Sequence, residues 1–184
     1  MKKTRKVTAY HEAGHALAYI LINRKFKYAT IKPDSDSLGH VMPYFKPSKF
    51  TEWSISRNFC DPLDFGNHFK QDFISLAGYA AAKIFTGRYK NNIYQHTSDY
   101  DEWIERSLID LPDKLNLSYQ RFMRLYVIDV LSLELNWLRV KAIAEALIEK
   151  ETLSYNDVFN VNRQAIDQAM DADLKNRITQ KNKI

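Results

Sequence analysis

Apolar residues recur at helical spacing along much of this chain, and in the first such run, residues 7–22, they leave only a narrow polar strip. Tyr10, Ala13, Gly14, Ala16, Leu17 and Ile20 cover most of that helix. Thr4 or Thr8 begins it, and Arg24 and Lys25 supply the cations that favour a helix end. Residues 28–32 and 38–44 then read as two short strands separated by Pro33-Asp34-Ser35-Asp36-Ser37, a turn composition, and so predict a small antiparallel hairpin. Its edge offers an extended peptide a line of backbone groups to pair with. Residues 45–64, with Pro47, Pro62 and four aromatic side chains, read as a long irregular loop, either a lid or packed cover. A second helix over 65–85 is apolar at Phe69, Phe73, Ile74, Leu76, Ala77, Ala80, Ala81 and Ile84, with small residues for close helix packing and Gly87 as its terminal glycine. Ser98, with Asp101 three residues on, starts a third helix to Leu111. Helical patterns follow over 117–150, then a short last helix over 154–170. The fold class expected is mostly α (α+β), a helical domain with a small β-hairpin or sheet.

With 184 residues, 45% of them hydrophobic, the chain has enough apolar surface for one core. The expectation is a single domain over residues 1–170 and a basic tail over 171–184. The longest uninterrupted apolar run, residues 16–22, falls far short of the roughly 20 residues of a membrane span. The basic residues near the start are followed by an apolar stretch that His11, Glu12 and His15 interrupt, which is not the pattern of an export signal. One cysteine, Cys60, can form no internal disulfide, and the cytoplasm is the expected location. The net charge of +5 comes with no finger spacing or RNA-binding signature, so specific nucleic-acid binding is not expected.

Chemistry concentrates in His11-Glu12-Ala13-Gly14-His15, an HExxH pattern inside the first helix. Residues four apart on a helix are offset by about 40° and about 6 Å, so both imidazoles reach one metal ion. Zinc takes neutral imidazole ligands, and the adjacent carboxylate of Glu12 is placed to take a proton from a water attacking a carbonyl. Gly14, unfavourable in a helix, fits a place where another backbone approaches closely. A catalytic site needs a third protein ligand. Ala18 and Leu21 stand where the extended HExxHxxGxxH motif needs its glycine and third histidine, which excludes the metzincin arrangement. Asp99, Asp101, Glu102, His96 and Glu134 remain as candidates. Tyr94 and His96 are further candidates for hydrogen bonding to an oxyanion, while His40 and His68 read as structural or surface residues.

The stretch Thr8-Ala9-Tyr10-His11-Glu12-Ala13-Gly14-His15-Ala16 resembles the peptidase domain of the FtsH-type AAA zinc metalloproteases. Further similarities follow in the same order: Thr30-Ile31-Lys32-Pro33 with Leu38-Gly39, then Leu76-Ala77-Gly78-Tyr79-Ala80-Ala81, Thr97-Ser98-Asp99, and Ala146-Leu147-Ile148-Glu149-Lys150-Glu151-Thr152-Leu153. The resemblance implies His11, His15 and Asp99 as zinc ligands and Glu12 as general base. Asp99 is preferred to Asp101 because Tyr100, Trp103 and Ile104 then match the family's apolar positions. The chain departs from the family at Ala82-Lys83, where an acidic residue is usual, in lacking the glycine before the metal aspartate, and in containing no Walker A sequence.

The function expected is a zinc-dependent endopeptidase hydrolysing unfolded or flexible protein segments without its own ATPase domain. A separate ATPase or adaptor acting in trans, and an oligomer, are both compatible with it. The alternative is a weakly active or inactive zinc-binding adaptor of the same fold.

Overall fold

The structure is a computed structural model and describes residues 2–35, 37–44, 62–87, 99–100, 103–104 and 113–181. It is mostly helical with one small antiparallel sheet, the fold class the periodicity predicts. Helix α1 (Lys2–Leu21) packs against α2 (Pro62–Thr86) and α4 (Glu134–Lys150), while α3 (Asp113–Ser132) lies against α2. Strands β1 (Phe26–Thr30), β2 (His40–Pro43) and β3 (Thr152–Ser154) form a sheet in the order β2-β1-β3, and α5 (Tyr155–Lys181) closes the chain. Among the described residues, no helix is long and apolar enough to cross a membrane.

The core gathers around α1. Ala9, Ala13, Ala16, Leu17 and Ala18 are fully buried, with Leu76, Ala77 and Ala81 of α2 and Val140, Ile143, Ala144 and Leu147 of α4. Tyr10 stacks on Phe85 with ring centroids 3.9 Å apart and tilts against Trp137, locking α1 to both neighbours. The small residues let α1 and α2 approach closely. A methyl group built on Gly14 would collide with the Ala77 carbonyl and lie 2.7 Å from Ala81 Cβ.

The hairpin is as expected, β1 pairing antiparallel with β2 around a turn in which Asp34 N–H donates to the Ser37 carbonyl and Asp34 Oδ1 accepts from Ser37 N–H. His40 is held there, with Nδ1 3.3 Å from Asp34 Oδ2 and Nε2 3.2 Å from the Tyr28 hydroxyl. The third strand is not foreseen by the sequence pattern. Glu151 adopts the left-handed conformation, φ 63°, and turns the chain out of α4 so that Thr152, Leu153 and Ser154 pair with β1. Arg5 steadies that turn, donating to the Ile148 carbonyl at 2.9 Å and pairing with Glu151 at 3.1 Å.

Two other boundaries differ from expectation. The helical pattern over 117–150 is two helices, broken at Leu133, whose ψ of 133° leaves the helical region. Asn136 Nδ2 donates to the Val130 carbonyl and so satisfies an acceptor at the end of α3. The last helix does not stop near residue 170 but continues to Lys181, because nothing in residues 155–181 breaks it: no glycine or proline is present. Ser154 and Asp157 form a reciprocal cap at its start, Ser154 N–H and Oγ–H donating to Asp157 Oδ2 and Asp157 N–H to Ser154 Oγ. The expected loop over 45–64 and the third helix over 98–111 lie largely outside the described residues, as does Cys60.

Replacing Gly14 by Ala puts a methyl group against rigid backbone at the α1–α2 crossing. The expected cost is about 1–3 kcal/mol of stability, the usual range for overpacking, read as a lower urea midpoint with unchanged slope.

Candidate metal centre

Helix α1 presents His11 and His15 on one face toward α2, as the four-residue spacing requires. Their Nε2 atoms are 3.0 Å apart. Asp99 Oδ2 completes a triangle, 3.0 Å from His11 Nε2 and 3.2 Å from His15 Nε2. The structure thus brings His11, His15 and Asp99 together, and each turns a potential ligand atom to the same point. Four-coordinate zinc with bonds of about 2.0–2.1 Å has tetrahedral edges of about 3.3 Å, so the triangle is nearly one face of such a tetrahedron.

Each corner is fixed from behind. His15 Nδ1–H donates to the Ile74 carbonyl at 2.8 Å, and because a carbonyl only accepts, a neutral His15 carries its lone pair on Nε2, facing the triangle. This backbone contact is the outer support of His15. Lys83, standing where the resembled family usually has an acid, instead donates to the Tyr79 hydroxyl at 2.7 Å. Asp99 is placed by its neighbours: Tyr100 is buried against Tyr79 and Trp103, and Arg124 of α3 donates to its hydroxyl at 3.2 Å. The Asp99 side chain is 40% exposed, against 14% and 10% for His11 and His15, so the triangle is reached from the aspartate side.

Three acceptors converging on one point repel unless a cation or proton lies between them. In the metal-free protein the proton takes that role. Burial opposes charge on His15, but the hydrogen bond and charge of Asp99, then Glu12 and the Ile74 carbonyl, outweigh it and raise its pKa to about 9. Burial likewise pushes Asp99 upward, but the hydrogen bonds and charges of both histidines hold it well below the usual carboxylate range. A proton lies along one edge of a triangle; a divalent ion serves all three corners. The residues therefore fit a metal ion with mixed imidazole and carboxylate preference.

Glu12 is only 4% exposed, and among the described residues no group hydrogen-bonds to its carboxylate. Burial raises its pKa, with the charges of His11, His15 and His40 opposing and Asp99 reinforcing the shift. The chain just before β2 lies directly on it: a methyl group built on Gly39 would stand 3.1 Å from Glu12 Cγ and 2.9 Å from Thr8 Cγ2.

Of the other sequence candidates, Glu134 is an exposed residue at the start of α4, away from the triangle. His40 braces the hairpin turn and His68 lies on α2. Tyr94, His96, Asp101 and Glu102 lie outside the described residues. The Ile74 carbonyl, Gly39 and Gly78, which backs onto both imidazoles, were not singled out from the sequence as site residues; the two glycines stand there only as members of the stretches that resemble the FtsH-type family. The chain matches no protein-family model and no curated protein. The resemblance to FtsH-type peptidases therefore stands on the motifs alone.

For metal-free protein the sign of the pH dependence follows from His15. Its folded pKa is raised, so its contribution to stability is complete below the unfolded value near 6.5 and disappears as pH rises through about 9. That of Asp99 is present above about 3.8 and lost as pH falls through its lower folded value. In chelator, the stability advantage of the natural chain over Asp99→Ala is expected to be largest near pH 5–6 and to shrink by pH 9–10, measured by thermal unfolding.

Proposed function

We propose that this chain is a zinc-dependent endopeptidase resembling the FtsH type, which hydrolyses peptide bonds in unfolded or flexible protein segments. The observation that carries this reading is the pairing of a two-imidazole, one-carboxylate triangle with a buried carboxylate, Glu12, that no described group hydrogen-bonds. A purely structural metal site has no use for an adjacent free base. Donor chemistry favours zinc, which in catalytic sites takes imidazole and carboxylate ligands from three protein residues.

When bound, zinc supplies Lewis-acid polarisation of the scissile carbonyl and acidifies a water at neutral pH. His11, His15 and Asp99 would hold the ion, with His15 kept in the ligating tautomer by the Ile74 carbonyl. Glu12 takes a proton from the attacking water and delivers it to the leaving amine, a task suited to a carboxylate whose basicity is raised by burial. Strand β2 is one of the two edge strands of the described sheet and begins beside Glu12, so an extended segment pairing along it would pass the base.

Glu12→Gln keeps the shape and the three ligands but removes the base. The variant is expected to bind zinc like the natural chain and to cleave unfolded casein about 10²–10⁴-fold more slowly. Undiminished cleavage would contradict this mechanism, and zinc binding without cleavage in the natural chain would favour the adaptor reading.

A further inference from the structure

The helix that faces the two imidazoles does so at a glycine. Gly78 lies buried in the middle of α2, flanked by Ala77, Tyr79 and Ala80, where alanine would be the better helix former. A methyl group built on Gly78 would stand 2.6 Å from His11 Nε2 and from His15 Cδ2, and would overlap His15 Nε2 itself. These are the ligand nitrogens of the triangle. Gly14, the other buried glycine of the α1–α2 crossing, meets different atoms: the backbone of Ala77 and the Cβ of Ala81.

We infer that Gly78 is a positioning residue of the metal centre, kept free of a side chain so that both imidazole Nε2 atoms can meet beside α2. The inference rests on the metal-site reading and adds a residue that donates nothing to the ion. The atoms that a methyl would strike are the far ends of two histidine side chains, which can turn about two torsions, unlike backbone. In metal-free protein the rings can turn aside, and the gain of the helix from alanine offsets what His15 gives up at the Ile74 carbonyl and Asp99. With metal bound, both rings are tied to one point and cannot. The substitution therefore lowers metal affinity while changing metal-free stability little, whereas at a packing glycine such as Gly14 the collision is with backbone and is the same with or without metal.

Gly66, also in α2, provides the comparison, since a methyl there meets nothing within 4 Å. The test uses the full chain and its Gly78→Ala and Gly66→Ala variants, with zinc affinity measured by competition against a chromophoric chelator and thermal unfolding measured in excess chelator. The expected result for Gly78→Ala is a metal-free midpoint close to that of the natural chain, with zinc affinity weaker by about 100-fold, the upper end of what losing an orienting neighbour costs. Gly66→Ala should raise the midpoint and leave zinc affinity unchanged. Natural affinity in Gly78→Ala would overturn the inference, and so would a metal-free midpoint clearly below that of the natural chain, which would make Gly78 a packing residue. A natural chain that binds no zinc would overturn the metal-site reading itself, and this inference with it.

Discussion

Helices α1 and α2 cross with almost no side-chain volume between them, and most of the molecule's organisation follows from that contact. Gly14 lets the backbone of α2 approach at Ala77 and Ala81, and Ala13, Ala16 and Ala80 keep the surrounding layer thin. A close crossing buries polar groups of α1 that a looser one would leave in water, so His15 and Glu12 enter a region where each needs a partner or a purpose. His15 finds the Ile74 carbonyl on the opposing helix. The same proximity aims its other nitrogen at His11 and Asp99. The hydrophobic core and the polar site are thus two sides of one contact, with α4 and the sheet covering the remainder of α1.

Electrostatics separates the roles of the four polar residues. His11, His15 and Asp99 turn acceptors toward a common point, an arrangement that is stable only around positive charge, and in metal-free protein the raised pKa of His15 supplies it. A metal ion displaces that proton, so metal affinity and pH are linked through the same nitrogen. Glu12 stands apart from the triangle, nearly buried beneath the strand that begins at His40, with no described hydrogen bond to occupy its oxygens. Two carboxylates on one site thereby differ in kind: Asp99 is drawn into ionisation by the histidines, whereas burial holds Glu12 nearer the point of accepting a proton.

Elements long enough to show a period were legible in the sequence. The α1 run, the hairpin with its Pro33–Ser37 turn, and α2 with Gly87 at φ 64° all stand where spacing and turn chemistry place them. Strand β3 was not legible, because three residues carry no readable alternation and its formation depends on the left-handed turn at Glu151 and on the pairing of Thr30 with Thr152. The break at Leu133 was hidden for the opposite reason: apolar periodicity continues across it, and no glycine or proline marks it. Within the site, His11, Glu12 and His15 are visible from local spacing alone. Asp99 is 84 residues beyond His15, a separation that no periodicity spans; family resemblance, not geometry, pointed to it. Gly78 figured only as a member of the Leu76–Ala81 stretch that resembles the family, since what a missing side chain makes room for is known only once the opposing helix is in place.

X-ray absorption at the zinc edge of the reconstituted protein decides whether the two imidazoles hold zinc. The expected spectrum shows about one zinc per chain with a shell of nitrogen and oxygen scatterers at about 2.0–2.1 Å, including the outer-ring signature of two imidazoles that disappears in His11→Ala. No bound zinc after reconstitution, or a sulfur scatterer at about 2.3 Å showing Cys60 as a ligand, would contradict it.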